Sequence, residues 1–254
     1  MSSDGTANGD IDWALFSPAA YAPHHYIGVD CHDVAIARRI ITTLERLSGD
    51  YRSLTEIGAG GVLRTACLAA PLLMPGSPIT LTDVAEPQLA ATRLAVEQVQ
   101  QGRPGYWAAH EAAMTAVNSR WANALATVCR KPTIRRYNVL QAPLGTSSIR
   151  IEGHCLCSLS ARPDEYNHAV SNFYGGMQTG DVAIRLFDIG STGYNVGDVW
   201  FPGYPTDELE VSNQAESMGL VVLDSFRMPY QKRTDSNAAS STLSALGGAI
   251  MVKP

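Results

Sequence analysis

Residues 53–73, SLTEIGAGGVLRTACLAAPLL, place a short apolar run, a turn built on Gly58, Gly60 and Gly61, and a second apolar run in succession. The first run predicts a strand over 53–57 and the second a helix over about 61–73. A strand that turns on glycine into a helix opens a doubly wound α/β domain, and such a turn is where these sheets hold a nucleotide. The rest of the chain keeps the alternation. Further strands are predicted at 79–84 (ITLTDV), 133–140 (TIRRYNVL), 154–160 (HCLCSLS), 181–190, 220–228 and 245–254. Helices are predicted at 31–48, from 86 to a stop at Gly102, over 103–131, and at 163–177 and 206–218, with a loop rich in Gly, Tyr and Pro at 190–205. The reading is an α/β, Rossmann-like, seven-stranded, mostly parallel sheet with helices on both faces.

Of 254 residues, 45% are hydrophobic, enough for one large domain, and no linker divides the chain. Residues 1–10, MSSDGTANGD, predict a disordered polar tail. Residues 11–254 predict a single domain, in which 11–50 form an N-terminal arm and helix, an aromatic lid over the site. The net charge of −5 is spread along the chain, without the basic run that nucleic acid or an anionic membrane surface attracts, so a small molecule is the expected partner. No stretch reaches the length of a membrane span, and the N-terminus lacks a signal peptide's apolar core. Five cysteines without a CxxC pair fit a reducing cytosol, and a cytoplasmic protein is expected. Cys155 and Cys157 alternate on a predicted strand and share a face, which suits buried thiols better than a zinc pair. No His/Cys cluster and no adjacent acid–asparagine pair supports a metal. Oligomeric state is not legible.

The turn narrows the nucleotide. A dinucleotide fingerprint needs G-x-G-x-x-G, and Leu63 stands where the third glycine belongs. No G-x-x-x-x-G-K-[ST] occurs, so there is no P-loop. Glu56 precedes Gly58 by two residues, Asp83 ends the second strand, and Gln88 follows five residues on. S-adenosylmethionine suits that set. It has no phosphates, its ribose hydroxyls match an acid at a strand tip, and its cationic amino acid end matches a nearby carboxylate. Gln88 can reach the ribose or the adenine. Asn138 and Val139, at the end of the third strand, can meet the adenine edge. Each has a plainer alternative: Glu56 as a partner of an arginine, Asp83 as a helix cap, Asn138 as a turn residue.

With these residues in place the chain resembles the class I S-adenosylmethionine-dependent methyltransferases. Over most of its length it resembles the nicotinamide, phenylethanolamine and thioether methyltransferase family. FSPAAYAPHHY (16–26) is similar to that family's F-x-P-x-x-Y-x-x-x-x-Y arm, LTDVAEPQL to the stretch after its second strand, YNVLQAPLG (137–145) to its third-strand segment with Asn138 in place of aspartate, and LFDIGSTGYN (187–195) to the segment after its fifth strand. The resemblance implies that Tyr21 and Tyr26 close over the methionine end of the cofactor, that S-adenosylhomocysteine is the product, and that the acceptor is a small molecule methylated on nitrogen. Aromatic faces attract a sulfonium as they attract other cations. The plainer reading is that they pin the arm to the core.

On the acceptor side, Asp188 at the end of the fifth strand is the leading catalytic candidate, against a turn aspartate before Gly190. His25 on the arm is a candidate base, against a solvent-facing histidine. Tyr194 and Trp200 are candidate aromatic walls, and His154 borders the acceptor pocket or sits buried and hydrogen-bonded. Oxygen and carbon acceptors stay open. An NAD(P)-dependent oxidoreductase is permitted by Gly58 and Gly60 and opposed by Leu63 and by the absence of any Tyr-x-x-x-Lys. A cofactor-binding regulatory protein without catalysis is the third reading.

Overall fold

The computed structural model describes residues 7–8, 11–17, 31–47, 49–61, 63–229 and 245–254. In chain order these form β1 (Ala7–Asn8), β2 (Ile11–Asp12), a 3-10 turn (Trp13–Leu15), α1 (Cys31–Leu44), β3 (Leu54–Ile57), α2 (Arg64–Ala69), β4 (Ile79–Asp83), α3 (Glu86–Gln100), α4 (Tyr106–Val117), α5 (Ala124–Cys129) and β5 (Thr133–Arg136). Then follow β6 (Ile149–Gly153), α6 (Pro163–Tyr174), β7 (Val182–Ile189), β8 (Gly193–Val196), β9 (Val199–Pro202), α7 (Glu208–Ser217), β10 (Val221–Pro229) and β11 (Ala245–Val252).

The main sheet has seven strands in the order β10-β11-β7-β6-β3-β4-β5. β7, β6, β3, β4 and β5 run parallel, and β11 runs antiparallel to both β7 and β10. The expected architecture is therefore the observed one. β3 is buried at all four positions, as a central strand covered on both faces must be. One face is covered through Ile40, Leu44, Leu68, Val96, Met114 and Leu125. The other is covered by α6 and α7 through Tyr166, Val170, Phe173 and Val211. The parallel order aligns the carboxyl ends of β3, β4, β6 and β7 along one edge.

Four local expectations change. The fourth strand is Ile149–Gly153, and 154–160 is the bend after it. IRIEG conceals a central strand because Arg150 and Glu152 are charged yet fully buried. Cys155 and Cys157 therefore sit on a bend, and each thiol donates to a carbonyl, of Ile57 and His154. The 103–131 segment divides into α4, a 3-10 turn at Ser119–Trp121 and α5, with Asn123 left-handed at φ +74°. The 190–205 loop contains the β8–β9 hairpin. Ala7–Asn8, within the tail expected to lack order, pairs with Ile11–Asp12.

The buried charges under the site edge are matched. Arg150 donates to the carbonyls of Phe173, Gly175 and Gly145. Arg185 of β7 meets Glu152 of β6 at 3.1 Å, with both side chains at 0% exposure, and also reaches Tyr166 and Gln214. A pair this enclosed is costly to break from one side. Arg185→Met is expected to lower stability by about 3–5 kcal/mol in urea unfolding, and Glu152→Gln added to it should recover part of the loss. A single-variant loss near zero would mean that the pair is not desolvated as described.

Candidate functional site

β3 ends at Ile57 and the chain enters the turn. Gly58, Gly60 and Gly61 all have left-handed φ, at +65°, +59° and +77°, which glycine adopts without strain. Gly58 is also a close approach. A Cβ there would lie 2.3 Å from the Cβ of Cys155, so any side chain would push the bend after β6 off the turn. The main-chain donors of the turn face inward. Ala59 N–H donates to the Thr82 carbonyl at 2.9 Å, Gly60 N–H to Asp83 Oδ2 at 3.0 Å, and Gly61 N–H to Thr92 Oγ1 at 3.0 Å. They brace the turn against β4 and α3 and are committed before any ligand arrives.

Glu56 lies beneath this turn, 1% exposed. Its Oε2 accepts the Ala66 N–H in the first turn of α2 at 3.1 Å, and the Thr65 hydroxyl also bonds to it. The carboxyl thus occupies the helix end where a dinucleotide's pyrophosphate would rest. Leu63, in the third fingerprint position, is fully buried in the core.

Asp83 closes β4. Its Oδ1 accepts the Ala85 N–H at 3.1 Å while Oδ2 holds Gly60. Gln88, one turn into α3, is buried. Its Nε2 donates to the Phe16 carbonyl at 3.4 Å, and its Oε1 is a buried acceptor without a partner. Phe16 and Trp13 pack with Val84, Ala85, Val196 and Phe201. Phe16 and Phe201 meet edge to face at 5.4 Å, and Tyr194 stacks on Phe201 at 5.8 Å. The N-terminal segment and the β8–β9 hairpin thereby come together beside the tip of β4.

Five predicted residues, Glu56, Gly58, Gly60, Asp83 and Gln88, are brought together. Glu56 differs in detail: its carboxylate turns to α2, below the turn. Asn138 behaves as the turn residue of its plainer reading, with Oδ1 accepting Leu140 N–H at 2.9 Å. Val139 is buried with Leu144 and Phe173, and its carbonyl accepts from Asn172 at 2.6 Å. Tyr194 joins the aromatic cluster. Trp200 alternates to the other face of the hairpin and is 45% exposed. Tyr21, Tyr26 and His25 lie outside the described residues.

His154 and Asp188 also converge. His154 follows β6 in a left-handed backbone, φ +66°, held by its N–H to the Leu186 carbonyl at 2.7 Å and by the Ser158 hydroxyl on its own carbonyl at 2.5 Å. Its Nδ1 lies 3.0 Å from Asp188 Oδ1, an ion-pair distance without hydrogen-bond alignment. Arg64, a residue that sequence reasoning missed, brings a guanidinium nitrogen to 3.5 Å from His154 Nε2. Among the described residues no group of three or more His, Cys, Asp or Glu is placed to hold a metal, and no helix is long and apolar enough to cross a membrane.

No protein-family model and no curated protein matches the chain. Solved structures do. The magnesium protoporphyrin IX methyltransferase of Synechocystis PCC 6803 with bound S-adenosylmethionine superposes with a TM-score of 0.59 at 10% identity, covering 98% of this chain and 100% of that one. An S-adenosylmethionine-dependent methyltransferase of Clostridium acetobutylicum gives 0.57 at 9% identity over 92% and 96%. The N-methyltransferase NodS of Bradyrhizobium japonicum in complex with S-adenosylhomocysteine gives 0.53 at 14% identity over 98% and 95%. At these identities what is shared is the fold.

Burial pushes the Glu56 carboxyl up to about 8 from 4.5, against the lowering effects of Ala66 and Thr65, and pushes Asp83 up to about 6 from 3.8. The folded chain keeps the Glu56 proton where the unfolded chain has released it. Folding therefore loses about 1.4 kcal/mol per pH unit from this group as pH rises through the window between those two values, and nothing further above it. Thermal unfolding across that range is expected to fall more steeply for the natural protein than for Glu56→Gln, with the gap between them levelling off at alkaline pH. Parallel profiles would mean that Glu56 is ionised when folded.

Proposed function

We propose that the chain is an S-adenosylmethionine-dependent methyltransferase acting on a small molecule. The observation that carries this is the Asp83 carboxylate at the tip of β4. Its oxygens take the Gly60 and Ala85 N–H groups, with the Val84 N–H also against the carboxylate, and the acceptor capacity that remains suits a ribose hydroxyl. The unpartnered Oε1 of Gln88 supplies a further buried acceptor beside it. The group fits these residues, and a dinucleotide does not. The turn's N–H groups are already committed, and Glu56 puts a carboxyl where a pyrophosphate would sit.

When bound, S-adenosylmethionine supplies an electrophilic methyl group on a sulfonium. The chain's share is to align an acceptor with that methyl and to exclude water. Phe16, Trp13, Tyr194 and Phe201 form an aromatic cover at the edge of the site. The resemblance assigns Tyr21 and Tyr26 to the methionine end of the cofactor, and the same reading gives Asn138 and Val139 the adenine edge. Trp200 belongs to the exposed face of the hairpin, where an acceptor would enter. Resemblance to the nicotinamide, phenylethanolamine and thioether methyltransferases favours nitrogen as the acceptor atom. A hydroxyl acceptor is the second reading, favoured by the His154–Asp188 contact. The cytoplasm is the proposed compartment, on the cysteine pattern.

In titration calorimetry S-adenosylhomocysteine should bind and NADH should not. Asp83→Ala should weaken the binding by about 1.5–3 kcal/mol, the range for hydrogen bonds to a charged group. Binding of NADH alone, or unchanged affinity in Asp83→Ala, would contradict the assignment.

A further inference from the structure

Three arginines are buried among the described residues: Arg64, Arg150 and Arg185. Arg150 and Arg185 belong to strands, and their charges are met beneath the site edge by main-chain carbonyls and by Glu152. Arg64 differs in position. It opens α2 directly after the glycine turn, 7% exposed, and one guanidinium nitrogen lies 3.5 Å from His154 Nε2 on the bend after β6. A guanidinium only donates, so Nε2 accepts and the imidazole proton is assigned to Nδ1. The imidazole is held for this contact. His154 keeps a left-handed backbone at φ +66°, with its N–H on the Leu186 carbonyl and its own carbonyl under the Ser158 hydroxyl. Such a conformation persists only where the surroundings impose it.

A buried cation therefore flanks the turn on one side and a buried acid on the other. The sheet order β6-β3-β4 sets the turn between the tip of β4, with Asp83, and the bend after β6, with His154. Two strand spacings separate those flanks, about 10 Å, a span that the arm of an adenosyl amino acid covers. The path between them is bare. Among the described residues, a Cβ on Gly60 would come no nearer to anything beyond its chain neighbours than the Gly58 carbonyl, at 3.6 Å. Burial keeps Glu56, under the turn, protonated up to about 8, so near neutral pH it does not repel an anion lying above.

We propose that Arg64 anchors the carboxylate of the cofactor's amino acid end, with His154 as the residue that positions its guanidinium. This rests on the reading above, in which the ribose lies on Asp83. With the sugar there, an arm that crosses Gly60 toward β6 brings its carboxylate to Arg64. A planar guanidinium fork takes a carboxylate through two parallel N–H bonds. His154 Nε2 fixes the rotation of that fork from the side of the bend. The anchor selects on charge. It favours a ligand with a free carboxylate over an adenosyl thioether that ends in a methyl group or in an amine alone, and it does so on the flank of the turn that Asp83 does not reach.

Titration calorimetry of the full chain with three thioethers separates the parts. The ligands are S-adenosylhomocysteine, its decarboxylated analogue, which keeps the amine, and methylthioadenosine, which lacks the whole amino acid end. The natural protein should bind S-adenosylhomocysteine about 10–100-fold more tightly than the decarboxylated analogue, the range for hydrogen bonds to charged groups. Arg64→Met should remove most of that difference and leave methylthioadenosine binding unchanged, which also certifies the variant's fold. Arg64→Lys, which keeps the charge without the fork, should restore part of it. His154→Asn, which tolerates the left-handed backbone, should narrow the difference a few-fold without moving methylthioadenosine. Equal affinity of the natural protein for S-adenosylhomocysteine and its decarboxylated analogue, or a loss in Arg64→Met shared equally by all three ligands, would overturn the anchor and leave the cofactor reading standing. A His154→Asn loss shared by all three, or no loss at all, would overturn its positioning role. Failure of the natural protein to bind any of the three would overturn both readings.

Discussion

The Asp83 carboxylate joins the glycine turn after β3 to the entry of α3. One oxygen takes the Gly60 N–H across from the neighbouring strand, and the other takes Ala85 N–H at the entry to α3. Through the first bond the glycine turn is drawn over the tip of β4. With the turn in that place, Gly58 comes down on Cys155. That contact fixes the bend after β6, and the bend carries His154 to Asp188 and Arg64. The Asp83 turn and the His154 bend are thus two ends of one chain of contacts, and Gly58 is the link at which a single methyl group would separate them.

The edge of the sheet around this link is rich in buried charge. Glu56, Asp83, Glu152 and Arg185 are all buried on or beside adjacent strands. Such groups are poor contributors to stability, since desolvation opposes each of them. Their arrangement is more readily understood as a field. Glu152 is matched by Arg185 within the sheet, whereas burial raises Glu56 and Asp83 well above the ordinary carboxyl range. Both shifts have the same cause, removal of the carboxyl from water.

Much of this was legible in the sequence. The glycine turn, Asp83 and Gln88 could be read because they are spaced by the strand–turn–helix period itself, and six of the seven strands because most are apolar runs. IRIEG was missed because Arg150 and Glu152 satisfy themselves through carbonyls and through Arg185, partners far along the chain that no local pattern announces. The β8–β9 hairpin was signalled more openly. Gly197–Asp198 between Tyr194–Val196 and Val199–Phe201 is a two-residue hairpin turn, with Gly197 at φ +59°. Arg64 was not legible, since an arginine opening a short helix has no pattern of its own. Its position depends on the bend after β6, which is itself a tertiary contact. Asn138 illustrates the converse: a polar residue at a strand end serves its own turn as readily as a ligand.

A crystal structure of the protein with S-adenosylhomocysteine tests the central claim most directly. The account predicts a ribose hydroxyl on the Asp83 carboxylate, Gln88 Oε1 within hydrogen-bonding distance of the adenosine, and the sulfur facing the bend that carries His154. Ligand density elsewhere on the molecule, or a crevice beside Asp83 closed by the side chains of Trp13 and Phe16, would contradict it.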